Sequence, residues 1–406
     1  MSDPQNEAID YSHYSLDELK QAYASLDKVA FPDRAEMLYQ LIKTKQAPFA
    51  EGSSIKDDSI IGKARVIFHG TGTEYFAIWI VNLLLSIVTL GIYSAWATVR
   101  TNRYFYSNTE VAGHRLAYLA TPMQILIGRL IAFGLFVVFI AVSTISPIFY
   151  AVAFFAFFAL LPVVIVMGVR FRMRMMAYRN VRFNFKVNYG RAYLIFFFLP
   201  ILAIITLYLA LPWVLKKMDE FIYENISFGD KEFKPSLRAG EYYIAAIVAA
   251  VIGFIGLFVF GMVVGFGALA GADAGGDVGA MAGFSVAGVL GFLFYILVLV
   301  IAVSFYQAYV RNHVYNNMKV DQVAIFSSDL KVMDLVFISI TNFLMLAVTL
   351  GLAFPWVKVR TTRLLTSATE ITILEGINTV VAKSGGNESA IADEVIGAFD
   401  IDVSIG

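Results

Sequence analysis

The sequence predicts an all-α polytopic membrane protein built from repeated helical hairpins, with short cytoplasmic β-strands at the helix bases, and three observations carry that prediction. The chain of 406 residues is 59% hydrophobic and only 15% charged, with 35 Phe and 21 Tyr, which is more apolar surface than one soluble core of this length buries. Long runs lack charge: Leu130 to Val169 has no Asp, Glu, Lys or Arg, and Tyr242 to Val310 has only Asp273 and Asp277. One phrase also recurs, since TLGIYSAWATVRTNR from Thr89 to Arg103 returns as TLGLAFPWVKVRTTR from Thr349 to Arg363.

Taken in order, residues 1–50 read as a cytoplasmic helical extension. Ser15 stands as an N-cap with Glu18 at capping-box spacing, and a helical pattern restarts after Pro32. The Leu and Tyr spacing of this piece suits either its own small core or a docking site for a cytoplasmic protein partner. Residues 51–63, with EGSSIKDD, are a linker by composition. Residues 64–369 form the membrane domain, and residues 370–406 a cytoplasmic strand followed by an amphipathic helix. The acidic start MSDPQNEAID lacks the pattern of a cleavable signal peptide, so the amino terminus is expected in the cytoplasm.

Within the membrane domain, each of the two long runs has the length of two crossings at about 20 residues each. Shorter runs lie at Tyr75–Val99, Ala192–Leu215 and Leu335–Val357. Between the runs stand alternating or β-rich stretches, ARVIFHG, VAGHRLAY, VRFNFKV, ISFGDKEF, MKVDQVAIF and ITILEGI. Lys and Arg cluster beside these strands, as in RFRMRMMAYRNVR, and are missing from the apices STISP and GFGALAGADAGGDVGAMAG. The positive-inside rule then sets every strand-bearing base and both termini in the cytoplasm. A short run must return to its starting side to obey that rule, so each is read as a hairpin turning at Thr-Leu-Gly. Arms of about 16 residues, roughly 24 Å, barely span a core of about 30 Å, so these hairpins are thin, tilted or re-entrant.

The recurrence extends beyond the phrase. Glu74–Glu110 matches Asp334–Glu370 at 16 of 37 ungapped positions, and a fainter copy at Arg191–Ile226 keeps Thr206, Trp213 and Lys217. It supplies three sets of candidate site residues. Asn82 and Asn342 share one place in an apolar arm, where Asn either bonds between helices or lines a solute path. Arg100, Arg103, Lys217, Arg360 and Arg363 either snorkel to cytoplasmic headgroups or converge on an anionic lipid headgroup or solute. Glu74, Arg191 and Asp334 share the start of each hairpin, as helix-start charges or as a ring at a cytoplasmic mouth.

Several chemistries find no support. The chain has no cysteine, and His13, His69, His114 and His313 show no ligand spacing, so no metal or cofactor is expected. FHGTGTE lacks the third Gly and the Lys of a phosphate loop, and no nucleophile, base and acid stand in order. Zero net charge gives no nucleic-acid footprint. An enzyme is therefore not expected. Membrane lipids are the expected partners, and two functions stay open: a transporter or channel for a small solute or lipid, and a non-catalytic membrane scaffold or assembly protein.

The phrases FHGTGTEYFAIW, TLGIYSAWATVRTNRYFYSNTEVAGHRLAY, VRFNFKV, FFLPIL and VRNHVYNN, with the end ADEVIGAFDIDVSIG, resemble the YjgN family of bacterial inner-membrane proteins, from about residue 64 onward. The resemblance implies a multi-pass protein of the bacterial inner membrane and brings no catalytic residues with it. The chain departs from the family pattern at Ala95, where the other two copies keep Pro355 and Pro212, and in its amino-terminal extension.

Overall fold

The structure is a computed structural model and describes residues 60–380 together with Tyr23 and Leu38. The helices expected before residue 51 and the carboxy-terminal amphipathic helix lie outside the described residues. The region expected as linker meets the fold at Ile60, where the first strand begins.

Ten longer helices among the described residues form five consecutive pairs, and a short 3-10 helix at Glu375–Thr379 stands outside them. They are α1 (Gly72–Val88) with α2 (Ser94–Ser107), α3 (Pro122–Ser143) with α4 (Pro147–Arg174), α5 (Tyr189–Ile205) with α6 (Leu211–Glu224), α7 (239–274) with α8 (277–316), and α9 (Val332–Val348) with α10 (Phe354–Ser367). Local chemistry fixes their starts. Thr71 caps α1 by accepting from the Glu74 N–H, Asn188 caps α5 through the Arg191 N–H, and Thr121 with Gln124 forms a capping box on α3. The α7–α8 reversal is made at Gly275 and Gly276, the latter at φ 58°.

The Thr-Leu-Gly phrase, and Thr206-Leu207-Tyr208 in the fainter copy, make a turn of one geometry at three places. Leu90, Leu207 and Leu350 all sit near φ 50°, followed by Gly91 at 91°, Tyr208 at 65° and Gly351 at 88°, a left-handed pair that reverses the chain. The threonine stitches the two arms: Thr89 Oγ1 donates to Leu85 O (2.7 Å) and accepts from the Tyr93 N–H (2.9 Å). Thr206 and Thr349 repeat both bonds. The turn leucines are bare, with Leu90 and Leu350 each more than 90% exposed.

The strands overturn the expectation of an all-α fold with short strands at the helix bases. Eleven strands join in one antiparallel sheet: β1 (Ile60–Arg65), β2 (Ile67–Phe68), β3 (Thr109–Val111), β4 (His114–Tyr118), β5 (Met176–Tyr178), β6 (Val181–Phe185), β7 (Ile226–Phe228), β8 (Lys231–Pro235), β9 (Met318–Val320), β10 (Ala324–Ser328) and β11 (Thr369–Leu374). Their order is β1-β11-β10-β9-β8-β7-β6-β5-β4-β3-β2. β1 and β2 are one stretch broken at Val66, whose N–H reaches Thr369 O (2.9 Å). The first half pairs with β11 and the second with β3, so the sheet nearly closes into a barrel. The physical reason is edge satisfaction. A strand of three to five residues cannot stand alone, and pairing each with its neighbours around a ring leaves almost no edge.

Chain order makes the barrel modular. Each helix pair joins two hydrogen-bonded strands, and each such strand pair is joined to the next by a tight turn. Helices therefore leave from one rim and tight turns occupy the other. Ala112-Gly113 and Arg179-Asn180 both take positive φ at the two central positions, the primed turn that matches strand twist.

Helix lengths differ between the pairs. α1 and α2 have 17 and 14 residues, roughly 25 and 21 Å at 1.5 Å per residue. By length and composition, α3, α4 and the continuous stretch Ala239–Asn316 can cross a membrane. Phe133, Phe155, Phe254 and Phe258 on these helices point outward, each about two-thirds exposed, an apolar surface that suits lipid rather than water.

Candidate functional site

The main buried cluster lies inside the barrel. Alternate residues of the strands point inward, among them Val111, Tyr178, Phe228, Phe233 and Val320, and the ends of α4, α6, α8 and α10 roof the space. Phe183 meets Phe228 at 5.0 Å between ring centroids, and Phe233 stacks on Phe326 at 5.7 Å. These rings leave a cavity of about 420 Å³ with an almost wholly apolar lining, within the size range of small-molecule sites.

One full charge enters that cavity. Arg311, three turns or fewer from the carboxy-terminal end of α8, is 8% exposed. One nitrogen, Nη2, donates to Leu365 O (3.1 Å) and Thr369 Oγ1 (2.9 Å), tying α8 to the end of α10. The guanidinium lies over the Tyr315 ring at 4.2 Å, a cation–π contact. Its Nε is buried with no hydrogen-bond partner, and no carboxylate pairs with it among the described residues. Burying a cation without a counter-charge is costly.

A second cavity, of about 470 Å³, lies on the helix side of the barrel among α1, α2, α4 and α10, and its lining is far more polar. Asn82, Thr98, Asn102, Arg172 and Lys358 face it. Arg129 of α3 fixes the neighbouring wall, with Nη1 donating to Ser94 Oγ (2.6 Å) and Nη2 to Thr98 Oγ1 (2.9 Å).

The residues singled out in the sequence fall into separate places. Asn82 borders the polar cavity, whereas Asn342 is spent inside its own hairpin, donating to Thr361 Oγ1 (3.0 Å) and accepting from Arg360 (3.3 Å). The structure does not bring the two asparagines to one path. Arg100 donates to the Tyr93 hydroxyl (3.2 Å). Lys217 pairs with Glu220 at 2.9 Å. Glu74 accepts from the Tyr104 hydroxyl (3.0 Å), Arg191 pairs with Glu224 (2.9 Å), and Asp334 lies in the first turn of α9.

Arg103 and Arg363 have a shared structural task. Arg103 donates to Ala120 O (3.2 Å) and Arg363 to Gly70 O (2.9 Å), and Asn312 of α8 does the same to Leu330 O (2.8 Å). Each donor stands four residues before the last residue of its helix, and each acceptor two residues after a strand. The end of one helix pair thus latches the start of the next. Arg311, Tyr93 and Arg129 went unmarked as site residues in the sequence. The available signal for Tyr93 was its mismatch with Ala353 in the recurring phrase, and for Arg311 its position at the edge of an apolar run.

Apolar, outward-facing helices of membrane-crossing length, set on a nearly closed sheet, define the class: this is a membrane protein. It belongs to the family described as "Bacterial protein of unknown function (DUF898)", which covers residues 63–398. The chain is 38% identical over 140 residues to the Inner membrane protein YjgN of Escherichia coli O157:H7, an alignment covering 34% of this chain and 35% of that one. Identity to the protein of the same name from Escherichia coli K12 is 30% over 195 residues, 48% of this chain and 45% of the relative. With that of Salmonella typhimurium it is 25% over 340 residues, 72% and 85% of the two chains. The chain therefore spans about a third and under half of the length of the two Escherichia coli relatives it matches. No solved structure matches it.

Proposed function

We propose that this protein is a non-enzymatic, multi-pass protein of the bacterial inner membrane that carries a small lipid-like anion in its barrel. In this reading the helix pairs enter the bilayer, the barrel and both termini lie on the cytoplasmic side, and the three hairpins that turn at Thr89, Thr206 and Thr349 are copies of one element. The positive charges beside the strands support that orientation. The names of the relatives support the location.

The observation that carries the reading is the pairing of an apolar cavity of about 420 Å³ with one buried guanidinium, that of Arg311. A single apolar chain fills the space between the phenylalanine rings, and a carboxylate or phosphate end compensates the charge of the guanidinium. A scaffold needs neither the space nor the buried cation.

The test is native mass spectrometry of the protein released from membranes in mild detergent, followed by titration with a fluorescent fatty acid. Wild type is expected to retain single-chain anionic amphiphiles. Arg311→Gln, which keeps a donor toward Leu365 and Thr369, is expected to bind about tenfold or more weakly, the loss typical of removing one side of a buried charge pair. Equal binding by a folded Arg311→Gln, or no binding by wild type, contradicts the proposal.

A further inference from the structure

The barrel cavity has a floor as well as a roof. At the rim away from the helices, the chain leaves β11 at Leu374 and turns into the 3-10 helix Glu375–Thr379. The Leu374 N–H donates to Val323 O (2.8 Å), in the turn between β9 and β10. Gly376 lies so close to that turn that a Cβ there would collide with Gln322 O. The short helix is thereby pinned across this end of the barrel. Ile377 lines the cavity, and Val380, three residues on and so on the same face, packs on the same apolar cluster. Strand pairing of β11 is complete at Leu374, so what the segment beyond it adds is a wall of the cavity.

The same strand measures the depth. Thr369, the first residue of β11, holds Arg311 at the roof (2.9 Å), and Leu374, the last, leads into the floor. The five steps between them run about 17 Å along the strand at about 3.4 Å each, or about 13 Å along a barrel axis from which strands tilt by about 40°. A chain of single bonds advances about 1.2 Å per bond, since the three bonds of an extended residue span about 3.6 Å. The interval therefore holds about eleven to fourteen bonds. Its almost wholly apolar lining, with Phe183, Phe228, Phe233 and Phe326 beside the path, suits a hydrocarbon chain.

We infer that the barrel selects chains of medium length, about twelve carbons, and that Ile377 sets the limit. The inference rests on the reading that this cavity holds an apolar chain, and adds which chains fit. A longer chain must displace Ile377 and overpacks the floor. A shorter one leaves part of the cavity empty and forfeits contacts with the rings.

The test offers the full chain in nanodiscs an equal mixture of saturated fatty acids from octanoate to octadecanoate and reads the bound acids by native mass spectrometry. Wild type is expected to give a profile peaking near dodecanoate, with octadecanoate about tenfold below the peak. Ile377→Ala deepens the floor and should move the peak longer by about two carbons, and Ile377→Phe should move it shorter by about as much. Gly376→Ala, which forces the short helix off Gln322, should broaden the profile toward long acids although Gly376 does not itself line the cavity. Phe254→Ala, on the outward surface of α7, should leave the profile as in wild type. A flat profile, or a peak that neither Ile377 variant moves, overturns the inference. If binding still falls in Arg311→Gln in that case, the function proposed for the cavity stands without it. Retention of no acid at all overturns both. If Ile377→Phe fails to fold, Ile377→Ala decides by the direction of its shift.

Discussion

At the residue scale, equivalent side chains of the recurring phrase do different work according to what stands beside them. Arg360 bridges Thr341 and Asn342 with two nitrogens inside its hairpin, whereas Arg100 makes one bond to a tyrosine at the exposed edge of α2. A lysine keeps the charge and loses the fork. Arg360→Lys is therefore expected to lower stability by about 1–2 kcal/mol, the scale of a charged hydrogen bond lost from a partly buried site. Arg100→Lys should stay within error. Thermal melts of the two variants in the same detergent check this, and equal shifts would remove the distinction. The phrase itself was legible: Thr-Leu-Gly read as a turn and is one, with Thr89 stitching the arms. The asymmetry was not, because the mismatch of Tyr93 with Ala353 stands in the sequence but the reach of one guanidinium across a helix pair does not.

At the scale of elements, the helix pairs follow from hydrophobic runs and polar punctuation, which is why the sequence located them. The close contact of α7 and α8 was less visible. Near their reversal the two backbones touch through glycine: a Cβ on Gly271 would meet Gly279 O at 2.0 Å, and one on Gly283 would meet Gly267 O at 2.0 Å. Gly267 and Gly271, like Gly279 and Gly283, are spaced by four, the small-residue pattern of close helix crossings in membranes. Gly271→Leu is expected to push α7 and α8 apart, seen as loss of a disulfide between cysteines introduced on the facing helices. Gly261→Leu, at a position open to its surroundings, should leave that disulfide intact. Cross-linking that survives Gly271→Leu would contradict the packing. The strands were legible as segments and misread as minor parts. ISFGDKEF and MKVDQVAIF each hold two strands and a turn, and strands of three residues carry little local signal of their own.

At the scale of the described fold, residues 60–380, closure is the property the sequence could not announce. A single buried residue, Val66, lets one stretch serve both ends of the sheet order. That pairing spans about 300 residues of chain, from Ile60–Arg65 to Thr369–Leu374. Periodicity speaks only of neighbours a few residues apart, so it described hairpins and stopped short of the ring they build. Closure is also what turns scattered Phe, Tyr and Val positions into one lined cavity, and what brings Arg311 to its end. The central claim, that this cavity holds the apolar chain of an anionic amphiphile, is tested most directly by photo-crosslinking. A fatty acid bearing a diazirine near its tail is bound to the protein in nanodiscs, irradiated, and its attachment mapped by peptide mass spectrometry. The account predicts adducts on inward residues of the barrel strands, such as Phe228, Phe233 and Ile371, competed away by unlabelled fatty acid and diminished in Arg311→Gln. Adducts confined to the outward helix faces at Phe133, Phe155 and Phe254, unchanged by competitor and by Arg311→Gln, would contradict it.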